Sequence, residues 1–269
     1  MKIGFIGAGG NMAGAIINSM LKNNENGEKH KLYLYSPHAE KLDKYKNVGC
    51  SVCSSNSDVA KAADYIFLCV KPQILPNVLS EIADSALAEK CFVSIAAGVK
   101  IDSIKQQLGF DAKVIRVMPN TPLSIGCGAS GICKKAPVSD DEFEFVKAVL
   151  SADDNLAVSV DENLMDAVTA ISGSGPAYVY RFIMDMIKSG EQIGLSAECA
   201  MQLTLATVQG AVEMVKQTGI DVQTLLKNVI SPNGTTYAAM CSMDKDGFDN
   251  SVNNAVKACF DRSVELSQN

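Results

Sequence analysis

A run of glycines closing an apolar stretch offers the first chemistry in this sequence. Residues 2–7 read Lys-Ile-Gly-Phe-Ile-Gly, and the chain continues Ala8-Gly9-Gly10-Asn11-Met12 into a segment of helical periodicity, 12–22. Between a strand and a helix, glycines permit a tight turn and let the backbone approach a pyrophosphate. The helix N-terminus adds unpaired N–H groups and a partial positive charge. The spacing departs from Gly-x-Gly-x-x-Gly. Counted from Gly7, the third small position falls on Met12; with Gly10 as an extra residue, Ala13 or Gly14 takes the packing role. A purely structural strand–turn–helix fits the same residues, and both readings stand. Ser36 ends the next strand, where a carboxylate would mark a preference for NAD. The chain instead has Ser36-Pro37-His38, with Lys41 a turn later. A hydroxyl beside cations suits the 2′-phosphate of NADPH. The same residues can also cap the helix that Pro37 begins.

Other chemistries lack their residues. His30 and His38 are the only histidines, and Cys50-x-x-Cys53 has no second ligand pair, so no metal site is expected. The plainer reading of 50–53 is a short strand. Nine cysteines cannot all pair within one chain. Cys69 and Cys91 lie in apolar runs and Cys199 in a helical one, where free cysteine behaves as a small hydrophobe. A reduced, cytoplasmic setting is the expectation. The composition, 47% hydrophobic and 20% charged, is that of a globular chain able to bury a core. A net charge of −6 weighs against nucleic acid as the main partner. No apolar stretch approaches the roughly 18 residues of a membrane span, and the first residues carry no signal-peptide pattern. Neither nucleic acid nor membrane is expected as a partner.

The elements that must hold the glycine loop alternate. Strands are expected over 2–7, 31–36, 65–70, 91–96 and 113–118, separated by helical segments at 12–22, 39–46, 56–62, 73–86 and 102–108. Such regular exchange implies βαβ units and a parallel sheet. A strand at 128–133, a helix at 140–150 and a last strand at 155–160 complete this half. After Asp161 strand patterning stops, and helices are expected at 162–171, 175–193, 197–217, 222–229, 235–243 and 250–266. The fold class is therefore α/β: a Rossmann-type parallel-sheet domain over 1–160, then an all-α domain over 161–269. Met186, Ile187, Ile193, Met201, Leu203, Leu205, Val208, Val212 and Val215 leave their helices little polar face. A helix apolar nearly all round is buried, and about 108 residues are few for enclosing two such helices. A partner subunit is expected to cover them.

Five further segments carry a resemblance. Val70-Lys71-Pro72 follows the fourth strand, Ser94-Ile95-Ala96-Ala97-Gly98 closes the fifth, and Arg116-Val117-Met118-Pro119-Asn120-Thr121-Pro122 spans the end of the sixth. The helical half holds Ser172-Gly173-Ser174-Gly175-Pro176-Ala177-Tyr178 and Ser231-Pro232-Asn233-Gly234-Thr235-Thr236. In order and spacing, from residue 2 to 266, the chain resembles the pyrroline-5-carboxylate reductases. It departs twice: the family's Gly-x-Gly-Asn-Met-Ala loop carries an extra glycine, and Ser-Pro-Gly-Gly-Thr-Thr has become Ser-Pro-Asn-Gly-Thr-Thr. Asparagine tolerates the left-handed conformation better than most residues, so the turn can survive at Asn233.

The resemblance implies a Rossmann domain joined to a helical domain through which two subunits interlock, with further assembly of dimers open. It implies reduction of 1-pyrroline-5-carboxylate to L-proline, the last step of proline biosynthesis, with NADPH or, as a second donor, NADH. By position, the cofactor meets Gly7, Ala8, Gly9, Gly10, Asn11, Met12, Ser36, Asn56, Cys69, Val70, Lys71, Pro72, Ala96, Ala97, Gly98 and Asn228. The substrate lies by Glu162, Gly234, Thr235 and Thr236. An imine needs hydride at carbon and a proton at nitrogen, which asks for alignment rather than a metal or covalent nucleophile. Unpaired N–H groups where the turn begins a helix can hold a carboxylate, and the Thr236 hydroxyl can serve the ring nitrogen as catalytic residue. Each position also has an ordinary role: a threonine cap, a proline at a first helical turn, a first-turn carboxylate at Glu162.

Three other functions share parts of this pattern. A β-hydroxyacid dehydrogenase would place a lysine four residues beyond the glycine-rich stretch, where Val179 stands. A dinucleotide-sensing protein without turnover would not need the threonine turn. A reductase of another cyclic imine would keep all of it. Because no carboxylate ends the second strand, NADPH is expected to give a higher kcat/KM than NADH at equal imine concentration. Ser36→Ala should weaken NADPH more than NADH, and a wild-type preference for NADH in the same assay would overturn the assignment.

Overall fold

The computed structural model of the chain describes residues 1–25, 30–85 and 88–267. Eight strands form one sheet: β1 Lys2–Ile6, β2 Lys31–Tyr35, β3 Ser51–Val52, β4 Tyr65–Leu68, β5 Cys91–Ser94, β6 Lys113–Pro119, β7 Ala129–Lys134 and β8 Leu156–Ser159. Their order is β3-β2-β1-β4-β5-β6-β7-β8. The strand order reverses between β1 and β4, and ligands of open α/β sheets bind outside the carboxyl ends of the strands at such a switch point. The two strands there pair in parallel, Phe5 opposite Phe67, with their rings stacked at 4.8 Å. Every neighbouring pair is parallel except β6–β7, which is antiparallel. That is a departure from the all-parallel expectation, and its cause is length. Only a 3₁₀ turn, Thr121–Ile125, joins the two strands, too little chain for a crossover helix. The Cys50–Cys53 stretch does form a short strand, β3.

Helices cover both faces of the sheet: α1 Asn11–Glu25, α2 Asp43–Lys46, α3 Asn56–Ala62, α4 Leu75–Ile82, α5 Ile101–Leu108 and α6 Asp140–Leu150. Alternate residues along the strands feed two cores. Ile3, Phe5, Phe67, Ile115 and Val117 pack with Ile16, Ile17, Phe143 and Val146 of α1 and α6. Ile66, Leu68, Phe92 and Val114 pack with Val59, Leu79 and Ile104 of α3 to α5 on the other side. Burial from both sides explains why the strands read as continuous apolar runs. The expected helix at 73–86 is shorter, ending at Ile82 with a 3₁₀ turn to Ser85; Ala86 lies outside the described residues.

After β8 a 3₁₀ turn, Glu162–Leu164, leads into α7, Met165–Val168, and a π-helical turn, Thr169–Gly173. Then come α8 Gly175–Gln192, α9 Ala197–Thr218, α10 Val222–Asn228, α11 Thr235–Lys245 and α12 Phe248–Leu266. By internal contacts the chain divides into two compact units: Met1–Ser174 with Cys259–Asn269, and Gly175–Ala258. In the second unit α8 and α9 pack together, yet much of their apolar surface is open. Ile193 is 83% exposed, Leu203 54% and Val212 53%. An apolar groove of about 1130 Å³ runs among Phe182, Met186, Leu203, Val212, Phe248 and Val252. Among the described residues, no helix is long and apolar enough to cross a membrane.

Candidate active site

In the first unit, β1 delivers its last residue into a turn that only glycine can make. Gly7 has φ +83°, and a Cβ there would lie 2.6 Å from the Cys69 carbonyl oxygen. The approach is enforced by pairing at the switch point, where the Cys69 N–H donates to the Ile6 carbonyl at 2.8 Å. The N–H groups of Gly7 and Ala8 both donate to the Tyr35 carbonyl at the end of β2, and Gly10 closes the turn onto the Gly7 carbonyl. The first helical bond of α1 is Gly14 to Gly10. The N–H groups of Gly9, Asn11, Met12 and Ala13 are left without an acceptor among the described residues. Four unpaired donors at the head of a 15-residue helix form a ready anion cradle. The extra glycine is thus absorbed by the turn, and the donors sit at Gly9 and beyond it.

Ser36 closes this cradle on one side. A Cβ on Gly9 would stand 2.7 Å from the Ser36 hydroxyl and 3.2 Å from the Lys41 side chain. Buried Ser36 accepts a hydrogen bond from the His38 N–H at 3.2 Å, so it braces the following 3₁₀ turn, Ala39–Leu42, while its proton stays free to donate. The turn begins at Ala39 with His38 as its N-cap and no side-chain cap bond, so Ser36 does not cap a helix begun by Pro37. Beside it lies a cleft of about 730 Å³ bordered by Gly9, Gly10, Asn11, Lys41, Lys44 and Ser124.

The remaining first-unit residues divide. Cys69 and Val70 follow β4 directly opposite the glycine turn, and burial pushes the Cys69 thiol above its ordinary value. The Lys71 carbonyl accepts from Ile74 and Leu75 and so starts the segment leading to α4, with Pro72 between them. Ala96, Ala97 and Gly98 form the turn after β5. Asn56, the first residue of α3, is buried, and its amide donates to Glu81 at 2.6 Å. Glu162 is engaged within the chain. One carboxylate oxygen accepts from the Ile101 N–H at 2.7 Å and lies 3.7 Å from Arg116; the other meets Lys135 at 2.7 Å. Sequence reasoning gave no role to Asn120, which the structure makes a hinge-pin: its amide donates to the Ser172 carbonyl and accepts from the Ala129 N–H. Two of the motifs that carry the resemblance are thereby tied to each other.

In the second unit, Asn233 adopts φ +57°, so the left-handed turn does survive without the family's glycine. Gly234 caps α11, and its N–H donates to the Ser231 carbonyl at 3.0 Å. A Cβ on Gly234 would fall 3.1 Å from that carbonyl and 2.2 Å from the Ser231 hydroxyl, which explains the glycine there. The first bond of α11 is Ala238 to Gly234. The N–H groups of Thr235, Thr236 and Tyr237 and the Thr236 hydroxyl have no acceptor among the described residues. Thr235 is exposed, Thr236 half-buried, and Asn228, at the end of α10, exposed.

Residues 162–266 match the family described as pyrroline-5-carboxylate reductase dimerisation, and residues 2–98 the family described as NADP oxidoreductase coenzyme F420-dependent. The pyrroline-5-carboxylate reductase of Pseudomonas aeruginosa is 38% identical over 99% of this chain and 97% of its own length. That of Escherichia coli is 34% identical over 99% and 98%. Among solved structures, Plasmodium falciparum pyrroline carboxylate reductase with NADP bound superimposes with a TM-score of 0.87, at 35% identity over 99% of this chain and 98% of that one.

The glycine turn supplies a direct test. Gly7→Ala places a methyl against the Cys69 carbonyl in a conformation that costs about 1–2 kcal/mol for an L-residue. NADPH affinity, read by nucleotide fluorescence, should fall at least about tenfold, with the far-UV circular dichroism retained. Unchanged affinity would mean the turn is not the pyrophosphate seat.

Proposed function

We infer that this chain, which belongs to the pyrroline-5-carboxylate reductase family, reduces 1-pyrroline-5-carboxylate to L-proline with NADPH. The observation that carries this is the kinship over nearly the whole of both chains, with the threonine turn of α11 intact. NADPH supplies the hydride. The first unit's part is to bind it: the open N–H groups from Gly9 to Ala13 seat the pyrophosphate, and Ser36 with Lys41 takes the 2′-phosphate. Val70 to Pro72 and Ala96 to Gly98 border the cofactor beyond the switch point, with Asn56.

The second unit's part falls to the start of α11. Its open N–H groups at Thr235, Thr236 and Tyr237 hold the substrate carboxylate against the positive end of the helix. The Thr236 hydroxyl, unpartnered among the described residues, hydrogen-bonds the ring nitrogen and helps to deliver its proton. Residues 161–269 form the substrate and dimerisation region, residues 1–160 the dinucleotide-binding region. The open apolar faces of α8 and α9 support a homodimer, since obligate interfaces are large and hydrophobic. A cytoplasmic location agrees with nine cysteines that are all unpaired.

Assembly is testable by sedimentation. At least a homodimer is expected at nanomolar concentration, held mainly by residues 162–269, and a stable, active monomer would refute it. Thr236 is testable by turnover. General acid catalysis contributes about 10²–10⁴-fold, and an iminium that arrives already protonated needs the lower end of that range. Thr236→Ala should therefore lose roughly 10²-fold in kcat/KM while NADPH affinity and the folded dimer persist. Thr236→Ser should retain much more, and Thr235→Ala should be milder. A nearly fully active Thr236→Ala would assign the proton to water and leave Thr236 as a helix cap.

A further inference from the structure

The turn from Ile95 to Lys100 joins β5 to α5 and includes three of the residues assigned to the cofactor, yet its own bonding is thin. Ala96 donates to the Ser94 hydroxyl at 3.3 Å, and Val99 reaches the Ala96 carbonyl only at 3.5 Å. Lys100, the N-cap of α5, supplies no side-chain cap. The missing cap comes from 61 residues away, where the Glu162 carboxylate accepts from the Ile101 N–H at 2.7 Å. A charged acceptor at a helix N-terminus is among the stronger single hydrogen bonds a protein makes. Glu162 is itself held by Lys135 at 2.7 Å, and Lys135 also grips Asp102 in the first turn of α5 at 2.7 Å. Arg116 of β6, only 4% exposed, stands 3.7 Å from the same carboxylate.

The other side of the turn is closed by the end of α12. Gly98 has φ +77°, and a Cβ there would meet the Leu266 carbonyl group at 3.4 Å and the Ser267 nitrogen at 3.5 Å. That end of the chain is fixed by Asp166, one of whose oxygens accepts from the Ser263 hydroxyl at 2.6 Å and lies 3.1 Å from the Ser267 hydroxyl, which donates to the Ser263 carbonyl at 2.7 Å. Glu162 and Asp166 stand four residues apart on the segment after β8. One holds the helix end of the turn, and the other holds what packs on its apex.

We propose that Glu162 and Asp166 are positioning residues that clamp the turn between β5 and α5 in its cofactor-binding shape. The proposal rests on the assignment of Ala96–Gly98 to the cofactor. The expectation that Glu162 touches the substrate is the competing reading, which the imine KM decides; within the chain its oxygens serve Ile101, Lys135 and Arg116. Asp166 acts one step further back, through α12.

The test reads NADPH affinity by nucleotide fluorescence without imine, and separately the KM for the imine at saturating NADPH. Glu162→Ala should raise the NADPH Kd about tenfold, the scale of one lost charge-assisted hydrogen bond, with the imine KM changed less than about twofold. Glu162→Gln, which keeps an acceptor for Ile101, should recover most of the loss. Asp166→Ala and Ser263→Ala, which remove the acceptor and its donor, should shift Kd in the same direction, about threefold, and they carry the test if Glu162→Ala does not fold. A tenfold rise in imine KM with unchanged NADPH Kd would make Glu162 a substrate ligand and overturn the clamp. So would an unchanged Kd in Asp166→Ala and Ser263→Ala. Because NADPH binding is read without turnover, failure of the clamp is distinguishable from failure of the reduction itself.

Discussion

The close approach of the Gly7 backbone to the Cys69 carbonyl, which leaves no room for a Cβ, is the constraint on which the glycine turn depends. Two parallel strands leave the sheet side by side, and the next residue of each must turn away from the other. With no Cβ at Gly7 the backbones can pass, which sends the chain into α1 with its N–H groups open. Any side chain at Gly7 would push the turn outward and tilt the head of the helix. The stacked rings of Phe5 and Phe67 fix the two strands in register one step earlier. The register thus determines where the donors stand, and the donors determine what the helix end can bind.

Much of this was legible in the sequence because local pattern and global fold agree. The helices at 56–62 and 140–150 match α3 and α6 to the residue. Ser139 and Glu142 make a reciprocal capping box at the start of α6, the kind of end signal that periodicity needs beside it. The glycine loop and the open threonine turn were both visible as strand or loop running into a helix. What was not legible depends on pairings between distant residues. Nothing local reveals that β7 runs antiparallel, since that follows from how little chain remains after Pro119. The carboxylate of Glu162 looks like any first-turn acid until Ile101, Lys135 and Arg116 are brought to it. Asn120 sits in a motif that announces its importance without saying what its amide does.

The departures from the family pattern show how such sites absorb change. Gly10 is accommodated in a turn bonded back to Gly7, so the insertion lengthens the loop without consuming the donors. Asn233 takes a left-handed conformation at a cost that asparagine bears more easily than other non-glycine residues. Gly234 was retained, and its neighbour explains it: a side chain there would meet Ser231. One position in the turn needed a backbone angle, which asparagine supplies; at the next, a Cβ would crowd the Ser231 carbonyl at 3.1 Å.

The path of the chain through the two units has a consequence for modularity. The last helix begins in the unit of residues 175–258 and ends in the unit that holds the sheet, where its final turn lies over Gly98 and is fastened to Asp166. The sheet unit is therefore discontinuous in sequence, with the helical unit inserted into it. No single cut can release it whole. A fragment ending after β8 would keep the strand order and the glycine turn, but it would lack both halves of the brace around residues 95–100. Grafting this sheet unit onto another protein would accordingly need two junctions, one near Ser174 and one near Cys259, whose side chains stand 3.2 Å apart, Sγ to Oγ.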